Sequence, residues 1–448
     1  MKYLFVHQSF PGQYLHIVRH LVRQGGHEIV FISEDNANVI AGVRRVRYGL
    51  PRTAAEQAHP GVREFDVGLM RADAVARSAE TLKKLGFTPD IIIGHHGWGE
   101  LLNIQDVYPD VPILGYFEFY YHTDAGYDLN FDPEFPTNPQ TLPLVRAKNC
   151  INLLALTNPG YGQTPTLFQK GAYPAWAQEK ITVLREGVDL ERCKPKPALF
   201  KKVTSVCGIS IKPKQKLITY VSRDLEPYRG FHVFMRALPY VLAQEPDAQV
   251  VLVGSDGVSY GAKLLSGCWR DILVRELGER LDLSRVHFVG KVEYEDFLTL
   301  LQRSDAHVYL TYPFVASWSL REAMAIGCAL VGSDTAPVRE FLTDGETGLL
   351  VPFHDPERIA HGILRLLQDK TLAQALRRAA RVQAERTLCL KTYLADYDAL
   401  IAQVIAHHTA ERRAHGQGTP VPAKRKKIAP PKKNPPLVKG VGRKKRGG

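Results

Sequence analysis

Cysteine is sparse in this chain. Six residues in 448, at Cys150, Cys193, Cys207, Cys268, Cys328 and Cys389, lie apart with no CxxC pair. That scatter argues against a disulfide framework or a zinc-type ligand set, and it suits reduced thiols in a cytoplasmic protein. No apolar run approaches the roughly 18 to 20 residues needed to span a bilayer. The opening MKYLFVHQSFPGQY has a short apolar run but no small-residue cleavage site, so it reads as a first strand and its loop. No GxGxxG follows that strand, so an NAD-type fingerprint is missing. Acidic residues are absent after Glu411, where 13 of the 58 lysines and arginines lie. The net charge of +12 therefore belongs to the tail; the rest sets 45 basic against 46 acidic side chains.

What is present is a globular composition, 45% hydrophobic and 23% charged, in a chain long enough for two domains. In the first half YLFVH, EIVFIS, VRRVRYG, DIIIG, PILGYFE, LLALT (153–157) and ITVLREG (181–187) read as strands. Helices are expected after Gly12, from Val62 to Leu85, and at GELLNIQDVY. A second alternating series starts at KLITYVS and continues through AQVVLVG, VHFVGK, AHVYLTY, CALVGSD and GLLV. Such alternation means parallel sheets covered by helices on both faces. The expected class is α/β, with two doubly wound Rossmann-like domains facing a cleft. The boundaries are 1–189 for the first domain, 190–216 for a proline- and lysine-bearing linker, 217–385 for the second domain, and 386–415 for a C-terminal helix. Residues 416–448, rich in Pro, Gly and Lys, are expected to be a disordered basic tail. Such a tail either solvates or adheres to an anionic surface, a membrane being favoured over nucleic acid.

The stretch TYPFVASWSLREAMAIGCALVGSDT, residues 311–335, runs strand, polar-aromatic loop, short helix and strand. Its loop lies where open α/β sheets take ligands and where free helix-start N–H groups favour anions. Glu322, in the first turns of the helix, suits either the helix dipole or a pair of ribose hydroxyls. The strand KLITYVS delivers SRDLEPYRG, so Arg223 and Arg229 either clamp a diphosphate or form a surface pair balanced by Asp224 and Glu226. Gly254 permits a close ligand approach or merely a turn. Val289 and Lys291 offer backbone to a nucleobase or simply continue a core strand. In the first half, Gly12 is placed for a phosphate at a helix start. His95 and His96 follow a buried strand, at the mouth of its sheet. Glu118, Tyr120 and Tyr121 sit in an aromatic and acidic run suited to sugar rings or to packing of an insertion loop.

Taken together, MKYLFVHQSFPGQY, IIIGHHGWGE, LREGVDLERCKP, VSRDLEPYRGFHVF, VHFVGK, the 311–335 stretch and VREFLTDGETGLLVPFHDPERIA resemble a family 4 retaining glycosyltransferase of the GT-B type over roughly residues 1–390. The resemblance implies a nucleotide-diphosphate sugar, UDP- or GDP-linked, held mainly by the second domain, with no other cofactor and no metal. It implies that Arg223 and Arg229 bind the diphosphate, that Glu322 holds the ribose as the second glutamate of E-x7-E, that His95 lies near the transferred sugar and that Gly12 meets the phosphates. Ser317, Trp318 and Ser319 occupy the loop that offers backbone N–H groups, while His96, Glu118, Tyr120 and Tyr121 fall on the acceptor side. Loops 118–148 are expected to choose the hydroxyl acceptor, a glycan, glycolipid or polysaccharide precursor. One position departs from the pattern: Phe314 stands where the first glutamate belongs, and a phenyl ring accepts no hydroxyl hydrogen as a carboxylate would. Two other functions fit such a chain: a non-catalytic nucleotide-sugar-binding partner, and a nucleotide-sugar epimerase. The expected location is cytoplasmic, with a peripheral position at the inner face of the membrane.

Overall fold

The computed structural model, which describes residues 1–158 and 160–416, is organised by two parallel sheets. The first comprises β1 (Lys2–Val6), β2 (Glu28–Ser33), β3 (Val43–Arg47), β4 (Ile91–His95), β5 (Ile113–Tyr116), β6 (Tyr161–Thr164) and β7 (Ile181–Val183), in the order β3-β2-β1-β4-β5-β6-β7. Successive residues of β1 feed opposite faces. Tyr3 and Phe5 join Ile17, Val18 and Leu21 of the helix Leu15–Gln24, whereas Leu4 and Val6 join Val75, Ala79 and Leu82 of the helix Pro60–Lys84. Burial on both sides is why this strand reads as an unbroken apolar run.

A short antiparallel hairpin follows, β8 (Thr204–Val206) and β9 (Ile209–Ile211). The second sheet holds β10 (Leu217–Asp224), β11 (Gln249–Ser255), β12 (Val286–Gly290), β13 (Ala306–Tyr309), β14 (Leu330–Ser333) and β15 (Leu349–Val351), in the order β12-β11-β10-β13-β14-β15. Both sheets reverse their winding beside their first strand, between β1 and β4 and between β10 and β13. Crevices at the carboxyl ends of strands open at such points.

Four local expectations need correction. Residues 153–157 are not a strand but the end of the helix Cys150–Thr157, whose Ile151, Asn152, Ala155 and Leu156 are buried while Leu153 and Leu154 face out. That spacing is helical; the strand belongs to the polar YGQT of β6. GELLNIQDVY forms only one helical turn, Ile104–Val107, and ITVLREG is a strand only through Val183. Residues 190–216 are not a bare linker, because Val206 and Ile211 of the hairpin pack against Leu217, Val251, Val253 and Leu300. The chain instead passes at Val188, whose N–H donates to Leu388 O at 2.7 Å and whose carbonyl accepts from Leu390 N at 3.1 Å.

From there the helix Leu390–Gly416 returns to the first sheet. Tyr393, Tyr397, Leu400, Ile401 and Val404, at helical spacing, join Phe5, Tyr14 and Phe31 in one core. Beyond Gly416 the expected basic tail lies outside the described residues. No helix among the described residues is long and apolar enough to cross a membrane.

Tyr397 is 1% exposed, and its hydroxyl has no partner among the described residues. Tyr397→Phe keeps the packing and removes a desolvated hydroxyl, so its urea midpoint should hold or rise. Tyr397→Ala should cost about 3 kcal/mol or more by undocking the helix. Equal losses in both variants would show that the hydroxyl, not the ring, carries the docking.

Candidate active site

In the first sheet, His7 and His95 leave β1 and β4 at the winding reversal, with ring centroids 5.5 Å apart. Burial, reinforced by the His95 charge, pushes the His7 imidazole down to about 3. Gly12 packs on that ring: it has φ +54°, and a Cβ there would lie 2.8 Å from the imidazole. His95 Nδ1 accepts from Gly97 N–H at 2.8 Å, so the ring proton sits on Nε2. Nε2 faces a Glu118 carboxylate oxygen at 3.4 Å. Burial works to raise the Glu118 carboxyl, but the facing His95 ring and, more weakly, the Arg223 guanidinium hold it below its ordinary value. Arg223 belongs to the other half of the chain, so the two crevices face one another.

His96 does not join this group. Its ring lies 4.6 Å from Phe117 and so close over Gly115 that a Cβ there would sit 2.0 Å from it. Burial pushes the His96 imidazole down to about 3, and its Nδ1 has no partner among the described residues. It is a core residue, admitted because its neighbour strand carries glycine. Tyr120 packs on Tyr173 and His122, and Tyr121 on Phe119, so both rings belong to aromatic packing.

In the second sheet, a register shift between Val221 and Asp224 turns Arg223 out to solvent. Arg229 is buried; its Nη1 donates to Thr311 Oγ1 at 2.7 Å and to Val315 O at 2.9 Å. Gly230, with φ +71°, lets the chain turn from Arg229 into the helix Phe231–Gln244 beneath Leu310. The Tyr260 ring lies 4.8 Å from the Arg229 guanidinium carbon and 6.0 Å from that of Arg223. Neither nearby carboxylate balances these arginines through a direct pair. Glu226 accepts from the backbone N–H groups of Ser259, Tyr260 and Gly261, and Asp224 accepts from the Ser259 hydroxyl. Gly254 is required by packing, since a Cβ would sit 2.9 Å from Leu225. Val289 packs beside the hairpin core.

The helix Trp318–Ile326 is capped by Ser317, whose Oγ accepts from Ser319 N–H at 3.2 Å. Ser317 N–H donates to Tyr309 Oη at 2.7 Å, so the backbone donors of both serines have protein partners. The Trp318 indole donates to Glu186 at 2.8 Å, and Arg321 forms a buried ion pair with the same carboxylate. Glu322 accepts from Tyr294 Oη at 2.6 Å; burial raises its carboxyl against that hydrogen bond. Glu186, Arg321, Tyr260 and Tyr294 are absent from the sequence-derived set. LREG and the Arg-Glu pair within SLREAM carried the first two, but nothing local to either segment indicates that they meet.

Loop 118–148, expected to select an acceptor, reaches across to the second sheet. Asp128 accepts from Tyr228 Oη, Asp132 from Tyr312 Oη at 2.8 Å, and Glu134 pairs with Arg236 at 2.6 Å. Phe314 is enclosed beside Phe119 at 4.7 Å and Tyr228 and Tyr260 at 5.3 Å, as part of this joint. Asp132, Glu134 and His232 are the one group among the described residues with three ligand atoms near enough for a metal, within 4.8 Å of one another. Glu134 is engaged by Arg236 through both oxygens, so the group acts as an ionic clasp.

Removing one partner of a buried ion pair strands the other charge, which costs about 3–5 kcal/mol. Arg321→Leu should therefore lower the urea midpoint sharply, and Glu186→Leu combined with it should recover part of the loss. Additive losses would mean that the two charges are not coupled. The clasp predicts an acid effect as well. Burial would raise Asp132, but the His232 ring 2.9 Å away and the hydrogen bond from Tyr312 hold it at about 2, below its usual 3.8. Its contribution is complete above the usual value and lost as pH falls through the lower one. Stability measured from pH 5 down to about 2 should thus fall more steeply in the wild type than in Asp132→Asn.

Both halves have counterparts among known families. Residues 25–193 match the glycosyl transferase family 4 group, and residues 208–383 match glycosyl transferases group 1. Glycogen synthase of Mycobacterium tuberculosis (strain H37Rv) is 24% identical over 414 residues, spanning 85% of this chain and 89% of that one. The phosphatidyl-myo-inositol mannosyltransferase of Mycolicibacterium smegmatis is 29% identical over 161 residues, 35% of this chain and 37% of that one. Two solved structures share the fold. Anabaena HepE in complex with UDP-glucose gives a TM-score of 0.63 at 18% identity, covering 90% of this chain and 100% of that one. Sucrose-phosphate synthase from Thermosynechococcus elongatus gives 0.66 at 17% identity, covering 91% and 100%. Two matched halves, each built on its own parallel sheet, show that the chain belongs to the family 4, group 1 glycosyltransferases.

Proposed function

We propose that this glycosyltransferase moves a sugar, with retention at the anomeric carbon and without a metal or other cofactor, from a nucleotide-diphosphate sugar to a hydroxyl acceptor. The observation that carries the reading is the pair of guanidinium groups, Arg223 and Arg229, at the winding reversal of the second sheet and stacked about one tyrosine ring. Two cations there suit a diphosphate, and they stabilise the charge that develops on it as the sugar departs. Protein cations then do the work that a divalent metal does elsewhere. Attack comes from the face the leaving group vacates, and a diphosphate oxygen takes the acceptor's proton. Glu322 holds the ribose through its second oxygen, with Tyr294 fixing the first. UDP and UDP-glucose, bound by the structurally similar HepE, are the first donors to test. The basic residues from Lys424 onward suit an anionic membrane surface, which places the work at a cytoplasmic face.

Full-length protein should be stabilised by one nucleotide series among UDP, GDP and ADP, by about 2.7 kcal/mol at 100 times its dissociation constant. Arg223→Ala, which removes an exposed side chain, should weaken that nucleotide at least tenfold while leaving the free protein's unfolding unchanged. If no nucleotide or sugar conjugate moves the curve, the reading fails; if the sugar is epimerised while still joined to its nucleotide, with no acceptor present, the protein is an epimerase.

A further inference from the structure

Among the carboxylates around the facing crevices, one differs from the rest in its surroundings. Glu226 is saturated by three backbone N–H groups, and Asp224 is held by Ser259. Glu186 takes Arg321 and the Trp318 indole, Glu322 takes Tyr294, and Asp128 and Asp132 take tyrosine hydroxyls of the second half. Glu118 combines free accepting capacity with exposure: Glu100 and Asp128 also keep an oxygen without a partner among the described residues, but both are buried, and the second oxygen of Glu322 is taken by the ribose in the reading above. A carboxylate offers about four lone-pair sites. Among the described residues, the one side-chain nitrogen paired with the Glu118 carboxylate is His95 Nε2, at 3.4 Å. Its side chain is 41% exposed although it sits at the carboxyl end of β5, beside the crevice formed by His7 and His95. Phe119, next to it in the chain, meets Phe314 of the other half at 4.7 Å, so Glu118 lies where the two halves face.

From this placement we propose that Glu118 is the specificity-determining carboxylate of the donor site: it accepts hydroxyl hydrogens from the transferred sugar, and His95 orients it. The proposal rests on the glycosyltransferase reading above and moves Glu118 from the acceptor to the donor. Phe314, enclosed by Phe119, Tyr228 and Tyr260, is hydrocarbon and offers a sugar hydroxyl no acceptor, which leaves that role to a carboxylate of the first half. The Nδ1 bond from Gly97 fixes the His95 tautomer whose Nε2–H faces the Glu118 carboxylate at 3.4 Å. An ionised acceptor also selects among sugars. It favours a neutral, hydroxyl-rich hexose and repels a uronic acid, whose own carboxylate would face it.

Calorimetric titration of the full chain with UDP, UDP-glucose and UDP-glucuronate, and with GDP and GDP-mannose, tests this in wild type, Glu118→Gln and Glu118→Ala. Wild type should prefer a neutral sugar conjugate to its glucuronate counterpart. Glu118→Gln, of the same shape, should bind the free nucleotide within about twofold of wild type. It should bind the neutral sugar conjugate about 10- to 100-fold more weakly, as loss of hydrogen bonds to a charged group implies. Slow hydrolysis of the bound donor should fall with it, and the preference against glucuronate should shrink. Equal affinity of Glu118→Gln and wild type for the sugar conjugate would overturn the assignment while the nucleotide site stands. The same holds if only acceptor dependence changes. Absence of any nucleotide binding in wild type would instead remove the glycosyltransferase reading itself, and this inference with it.

Discussion

The geometry of the site depends on a buried charge pair that joins the two halves of the chain. Glu186 leaves the last strand of the first sheet, Arg321 sits on the helix that carries Glu322, and both are less than a tenth exposed. Placing two ions out of water costs several kcal/mol each, a cost met only if the remaining hydrogen-bonding positions are used. Here the Trp318 indole occupies the same Glu186 carboxylate, and the Tyr116 hydroxyl approaches it at 3.5 Å. A sliding contact between apolar surfaces would leave the orientation of the halves free. A shared carboxylate with directed donors does not. It sets where Glu322 and its helix start lie relative to the His95 crevice.

Two further joints complete this arrangement, and they differ in kind. The aromatic joint of Phe119, Phe314, Tyr228 and Tyr260 is non-directional and excludes water from the ground beside Arg229. The clasp of Asp128, Asp132 and Glu134 with Tyr228, Tyr312 and Arg236 is directional and responds to acid. Both are built by the insertion after β5. A segment that looks suited to sugar recognition by its composition thus spends most of its aromatic and acidic side chains on holding the halves together. Phe314 is explained by that use: a carboxylate in its place would be buried among rings with no donor.

Much of the fold was legible because burial on two faces leaves a plain mark. β1, β4, β10 and β11 are apolar runs with helical segments between them, and the reversals beside β1 and β10 follow from a doubly wound parallel sheet. The failures share a cause. LLALT is apolar and short, which suits a strand or a buried helix equally, and its helical period shows only when Ile151 and Asn152 are included. β6 is polar and carries no apolar signal; it is a strand because β5 and β7 pair with it. The hairpin within 190–216 escaped for the same reason, since its six paired residues gain their hydrophobic partners from Leu217, Val251 and Leu300 far along the chain.

By itself the sequence determined the two parallel sheets, the family, and the positions where Arg223, Arg229, His95 and Glu322 leave their strands or enter their helix. These follow from local periodicity and from the ends of elements, which adjacent residues encode. Tertiary structure alone decided that His96 is core while His95 faces Glu118, because strand pleat sends neighbours to opposite sides and only Gly115 makes room for the inner ring. It alone decided which carboxylates are spent and which is left open. Glu186 meets Arg321 and Asp132 meets Tyr312 across more than 130 residues of chain, and no local pattern records which charge will find which partner.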